Sequence, residues 1–225
     1  KMPETTNTIM AAEKPAPRVS ELRRTLRVMF DRPIVIAGAV VIVLVVILAI
    51  FAPLIAPYGF NDQDLLSTLK PPSSAHWLGT DELGRDSLTR LIFGSRISLL
   101  VGIVAVSLAG IVGMTLGLIA GYFSGWINNI IMRIIDALLA LPPMVLMLAI
   151  AAMLGGGLKT VLVSIGIAMM PTYCRLMCGQ VISLKGNDYV TAARAGGADR
   201  RRIMFRHLLP NSLPPLMVLL SVNLG

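Results

Sequence analysis

Cysteine, histidine and charge are all scarce in this chain: its 225 residues hold 2 Cys, 2 His and only 14% charged side chains. Cys174 and Cys178 stand four apart, which excludes a disulfide framework and leaves no four-ligand metal site. They read as small apolar packing residues. HExxH, GxSxG and a nucleotide-binding Gly-rich loop ending in Lys-Ser/Thr are all missing, so the sequence offers no catalytic constellation and no nucleotide or metal cofactor of its own. His76 and His207 are the only imidazoles, and the charge pattern below separates them. So low a charged fraction does not describe a soluble surface either.

Apolar residues take their place. They make up 55% of the chain and raise the mean hydropathy to +0.76, which requires a second solvent. Between Arg32 and Asp62 there are 29 uncharged positions, between Arg96 and Arg133 there are 36, and between Asp136 and Lys159 there are 22. About 20 apolar residues suffice for one helix to cross a bilayer. The expected fold is therefore all-α, a polytopic transmembrane bundle.

A net charge of +8 could point to nucleic acid, but the cations cluster at the ends of the apolar runs. Residues 1–33 carry seven Lys/Arg against four Asp/Glu, residues 54–97 four against five, and residues 175–207 seven against two. Lys and Arg accumulate in cytoplasmic loops, so the first and third stretches are expected inside, with a cytoplasmic N-terminus, and the middle one outside. Nucleic acid is not an expected partner.

Along the chain, residues 1–33 read as a cytoplasmic tail followed by a basic amphipathic helix on the inner leaflet, carrying Leu22, Leu26 and Phe30 among arginines. No secretory signal is expected, because the first apolar run starts late and continues as an anchor. Residues 34–225 form the membrane domain. Its first span runs from about Ile34 to Ala56, and an outer loop follows over about 57–97. The second span, about Leu99–Tyr122, sets Ala105, Ala109, Gly113, Gly117 and Gly121 at spacings of four, a stripe along which another helix can approach closely. The third, about Ile127–Met153, is expected to bend at Pro142-Pro143, with Arg133 and Asp136 pairing on one face near its inner end. After Gly155-Gly156-Gly157 a fourth span, about Leu158–Cys178, is interrupted at Pro171, and Arg175 can snorkel from its inner end. A fifth begins near Leu213 and is cut off at Gly225, so the chain reads as truncated.

The cytoplasmic loop, about 181–211, is the most informative stretch. Tyr189 to Ala195 is helix-forming, Gly196-Gly197 permits a left-handed break, Asp199 can cap a second helix, and Pro210 is expected to close it. Ile203, Met204 and Leu208 share a face, leaving Arg201, Arg202 and His207 on others. Two readings stand side by side: a basic surface drawn to anionic lipid, and a docking element whose apolar face enters a groove on a cytoplasmic partner. In the outer loop, Trp77, Asp81, Arg85 and Asp86 are candidates for docking or gating, while Gly and Asp at such positions commonly shape turns.

These residues bear a resemblance to a known family. Ala192, Ala193, Gly197, Leu209 and Pro210 fall in register with the EAA motif of bacterial ABC importer permeases. His76-Trp77-Leu78-Gly79-Thr80-Asp81 with Gly84-Arg85-Asp86, then Gly94-Ser95-Arg96-Ile97-Ser98-Leu99, and Gly121-Tyr122-Phe123-Ser124-Gly125-Trp126 look like its dipeptide, oligopeptide and nickel subfamily, C-type subunits above all. The resemblance covers roughly residues 30–225. It implies a type I importer permease of six helices, of which five begin here, in the bacterial inner membrane. It further implies a homologous B-type permease as partner, two ATPase subunits that bind ATP and Mg and dock on the loop, and an extracytoplasmic solute-binding protein. Thr191 stands where the family motif has glutamate; Asp188, one turn earlier, can restore an acidic contact. An ion-coupled transporter and an intramembrane enzyme are the competing classes, and the shortage of charged groups at mid-membrane disfavours both.

Overall fold

The computed structural model describes residues 32–224. The expected tail and interfacial helix therefore lie outside the described residues, apart from Arg32 and Pro33. All regular structure among the described residues is helical save one isolated bridge between Thr80 and Asp86.

Helix α1 is Pro33–Ile50, opened by a proline at the position where a missing N–H costs nothing. It is apolar all round, and Val40, Val41, Ile42 and Val43 are all exposed, as suits a helix whose solvent is lipid. A short α2, Ala52–Ile55, precedes the outer loop. Helix α3, Ser87–Tyr122, is 36 residues long, or roughly 54 Å, so it stands out of a 30 Å hydrocarbon core at its outer end. The expected second span is its inner portion.

The stripe on α3 is where the fold is tightest. Ala105 and Ala109 are buried, and Gly113, Gly117 and Gly121 sit directly against α6, Leu158–Lys185. A Cβ at Gly113 would come within 2.6 Å of the Met170 carbonyl oxygen, and one at Gly121 within 2.7 Å of Val181 Cβ. The two backbones are separated by less than one methyl group there. Cys174 and Cys178 lie on the facing side of α6, both buried and unpaired.

The bend expected at Pro142-Pro143 is present: the third span is made of two helices, α4 Trp126–Leu139 and α5 Pro143–Leu154, at 93° to each other, because the two prolines together remove the backbone donors that would carry a helix across. Other expectations are corrected. Helix α6, by contrast, runs unbroken through Pro171, which is buried in its middle, and ends seven residues beyond the expected boundary at Cys178. Asp136 pairs with Arg175 of α6, not with Arg133; an inter-helix partner won over the neighbour on its own helix. Among the described residues three helices are long and apolar enough to cross a membrane, or four if the bent pair counts as one span. The last helix, α9 Leu209–Leu224, has 16 residues, below the length of that test, so the fifth span, expected only to begin here, is not counted.

Candidate functional site

Helix α7, Asp188–Ala195, follows α6 after a two-residue turn. Gly197 then adopts φ 76°, a left-handed conformation that side chains with a Cβ resist. Asp199 caps a single turn, α8 Arg200–Arg202, by accepting from the Arg200 N–H. A π-helical stretch, Ile203–Leu208, leads straight into α9. Pro210 therefore does not close the element. The wider π-turn frees the carbonyls that an α-helix would have pointed at the proline ring, and Pro210 falls in the first turn of α9, where no intrahelical donor is required.

The orientation of the apolar residues is the main surprise. Val190, Ile203, Met204 and Leu208 are buried and join Tyr173, Met177 and Val181 of α6 in one cluster. The expected apolar docking face thus points into the chain's own core, because three large side chains that α6 can cover are worth more inside than in water, about 1.5–3 kcal/mol each. What faces outward is different: Phe205 is 59% exposed and Tyr189 37%, and Thr191, Ala192, Asp199, Arg201, Arg202 and Pro210 are exposed around them, with Ala193, His207 and Leu209 partly covered. Thr191 Oγ1 reaches the Asn187 carbonyl at 3.5 Å. Asp188 is exposed in the first turn of α7, three residues before Thr191 and on the same face.

Two ties hold this element to the spans. Lys185 Nζ donates to the Tyr122 carbonyl at 2.6 Å and to Ser124 Oγ at 2.9 Å, with its charge 5.5 Å from the Tyr122 ring centroid. The end of α6 is thereby fastened to the end of α3. Asn211 of α9 donates to the His207 carbonyl at 2.6 Å and contacts Tyr189 Oη at 3.5 Å. Neither Lys185 nor Asn211 stood out in the sequence as a site residue. The lysine was legible only as one of the cations of the loop.

On the outer side, the Gly79–Asp86 stretch is a compact knot. Asp86, 5% exposed, accepts from the Thr89 N–H at 2.8 Å to cap α3 and from His76 Nδ1 at 3.0 Å, while His76 stacks on Tyr58 at 5.0 Å between centroids. Burial works against its charge, but the Thr89 N–H and His76 outweigh it and hold the Asp86 carboxyl below the ordinary 3.8. Asp81 accepts from the Arg85 and Leu83 N–H groups and from Arg85 Nε at 2.8 Å. Gly79 and Gly84 both have positive φ, 74° and 68°, and a Cβ on Gly84 would overlap the Asp64 carbonyl. Asp81, Arg85 and Asp86 thus spend their polar atoms on the loop itself. Trp77 is the exception, 72% exposed. Further down α3, Arg96 donates through Nη2 to the Ile50 carbonyl at 2.9 Å and through Nε to that of Ala49, satisfying the terminal carbonyls of α1.

Among the described residues no group of three or more His, Cys, Asp or Glu is placed to hold a metal ion.

Comparison with known proteins places these features in a family. Residues 113–225 match the family described as binding-protein-dependent transport system inner membrane component, and residues 20–72 match the N-terminal TM domain of oligopeptide transport permease C. The chain is 42% identical to the dipeptide transport system permease protein DppC of Alkalihalophilus pseudofirmus over 92% of its own length and 68% of the relative's. It is 44% identical to the probable D,D-dipeptide transport system permease protein DdpC of Escherichia coli K12, covering 86% of this chain and 65% of that one. It is 37% identical to the oligopeptide transport system permease protein OppC of Bacillus subtilis, over 83% and 61%. The chain spans about two thirds of the length of these relatives. The matched N-terminal and C-terminal regions belong together in one kind of protein: this chain is a member of the binding-protein-dependent transport system inner membrane component family, of the peptide permease C type.

Proposed function

We propose that the chain is a membrane permease subunit of an ATP-driven importer of small peptides, and that the α7 to π-turn element is where a cytoplasmic ATPase pushes. One observation carries the proposal: the element is exposed on one face and built into the core on the other. Val190, Ile203, Met204 and Leu208 share a buried cluster with α6, so force applied to Tyr189, Phe205 and the arginines reaches the spans without a flexible linker. Phe205 and Tyr189 are the apolar anchors that a partner groove would take, a role suited to aromatic side chains. Arg201 and Arg202 steer and orient the encounter, and Asp188 takes over the acidic contact missing at Thr191. The relatives are transport permeases, and this chain supplies no groups for hydrolysis; ATP and Mg belong to two partner ATPase subunits.

A homologous B-type permease completes the pathway, an extracytoplasmic binding protein delivers solute, and Trp77 is the residue of the outer loop free to meet it. The N-terminus lies in the cytoplasm and the chain is embedded in the bacterial inner membrane. Residues 34–225 form the permease domain.

The test is co-purification of the complete chain from detergent, comparing wild type with Phe205→Ala and Gly197→Val. Recovery of a second permease and Walker-type ATPases with wild type, and loss of the ATPases alone in the variants, supports the reading. A chain that purifies alone and moves peptide in liposomes without ATP refutes it.

A further inference from the structure

Few charges lie within the spanning helices, and two of them meet. Arg175 of α6 donates from Nη2 to Asp136 Oδ1 of α4, yet the two side chains remain 57% and 51% exposed. Arg175 lies about ten residues, or roughly 15 Å, from Lys185 at the end of α6, and Asp136 lies about as far from Trp126 at the start of α4. The hydrocarbon core is only about 30 Å thick. Both groups thus lie about ten residues in from the Trp126 end of α4 and the Lys185 end of α6, farther in than the inner-end positions expected from the sequence, with Asp136 three residues before α4 ends at Leu139. A guanidinium can snorkel out of such a position, but the short Asp136 side chain cannot. Ionisable groups at this depth face a water-filled cavity or other protein, so the α4–α6 face that carries them is turned away from acyl chains.

The pairing is also incomplete. Asp136 uses one oxygen, and Arg175 commits a single Nη2 donor of the five that a guanidinium carries. Arg133 is exposed, lies three residues before Asp136 on the same face of α4, and takes part in no ion pair among the described residues. Two guanidiniums and one carboxylate leave one positive charge in excess.

We propose that Arg133, Asp136 and Arg175 form a water-accessible anion station on the solute path, where the spare guanidinium donors take a carboxylate of the passing solute. The excess charge favours a carboxylate over an ammonium, and the planar guanidinium offers it two parallel hydrogen bonds. Asp136 holds Arg175 in position and competes for it, so the solute is held weakly enough to leave. The proposal rests on the importer reading given above, since it supposes that a solute passes this face.

The experiment uses the assembled complex in proteoliposomes, with Arg175→Cys and Asp136→Cys treated separately with a charged, membrane-impermeant thiol reagent; wild type, whose two cysteines are buried, sets the background. Labelling at least tenfold above wild type is expected, slowed several-fold by millimolar alanylalanine and not by its C-terminal amide. Labelling at background in both variants, or equal protection by the amide, overturns the proposal. The variant Arg133→Gln, which removes the excess positive charge and leaves the Asp136–Arg175 pair in place, is expected to keep the wild-type melting temperature but lose the preference for a free carboxylate; retention of that preference would reduce the pair to a tie between helices and overturn the proposal too. Absence of ATP-dependent uptake by wild type would count against the importer reading alone, because labelling and protection need no ATP.

Discussion

Replacing Gly117 by alanine tests how closely α3 and α6 must approach. The new methyl carbon would lie 2.7 Å from Met177 Cβ and closer still to the Cys174 carbonyl oxygen. Ordinary contact begins near 3.4 Å and the Cys174 carbonyl oxygen would lie at 2.4 Å, so the helices must part by about 1 Å at this point, losing dispersion contacts along the seam above and below it. Met177 offers no relief, because the clash is with its Cβ and with backbone rather than with a flexible end. Overpacking of this kind costs about 1–3 kcal/mol, which for a chain of this size corresponds to roughly 2–12 °C in melting temperature. Gly38→Ala is the control: its Cβ would meet nothing within 4 Å, and replacing glycine inside a helix stabilises by about 0.5–1 kcal/mol. Detergent-purified variants followed by intrinsic fluorescence on heating give the comparison. A Gly117→Ala protein that melts with wild type, while Gly38→Ala behaves as stated, would show that the stripe is not a packing seam.

Other outcomes follow from the same geometry. Arg96→Gln leaves the Ala49 and Ile50 carbonyls without their charged donor and is expected to cost about 1 kcal/mol after allowing for its exposure, read as increased proteolysis after α1. Gly84→Ala forces both a left-handed backbone and an overlap with Asp64, so the outer loop is expected to lose its knot and become protease-sensitive while the spans stay assembled. Asp86 gives a pH dependence: its folded value lies below the ordinary 3.8, so its contribution is complete above that value and disappears as the pH falls through the folded one. Asp86→Asn should therefore weaken the loop at neutral pH and flatten its loss of protection below pH 4; an acid profile unchanged from wild type would contradict the capping role. Gly197→Val meets no neighbouring atom but strains φ 76°, and is expected to impair ATPase association with little change in melting temperature.

The amino-acid sequence by itself determined that this chain is helical and membrane-spanning, since uncharged runs of 29, 36 and 22 residues call for a lipid solvent and are continuous over the length of a spanning helix, well beyond that of a barrel strand. It also carried the break at Gly197 and the small-residue stripe, because each depends on local φ or on spacing along one helix. What it could not carry was choice among partners. Pro142 and Pro171 are the same residue type in similar apolar surroundings, yet one side of the first is a second proline and a 93° bend, while the second is buried inside a continuous helix held by α3. Asp136 had Arg133 within reach on its own helix and took Arg175 instead. Ile203, Met204 and Leu208 were readable as an apolar face, but whether such a face meets a partner or its own chain depends on what lies opposite, and α6 lies opposite. Periodicity fixes which residues go together; only the packing of helices distant in sequence decides which way they point.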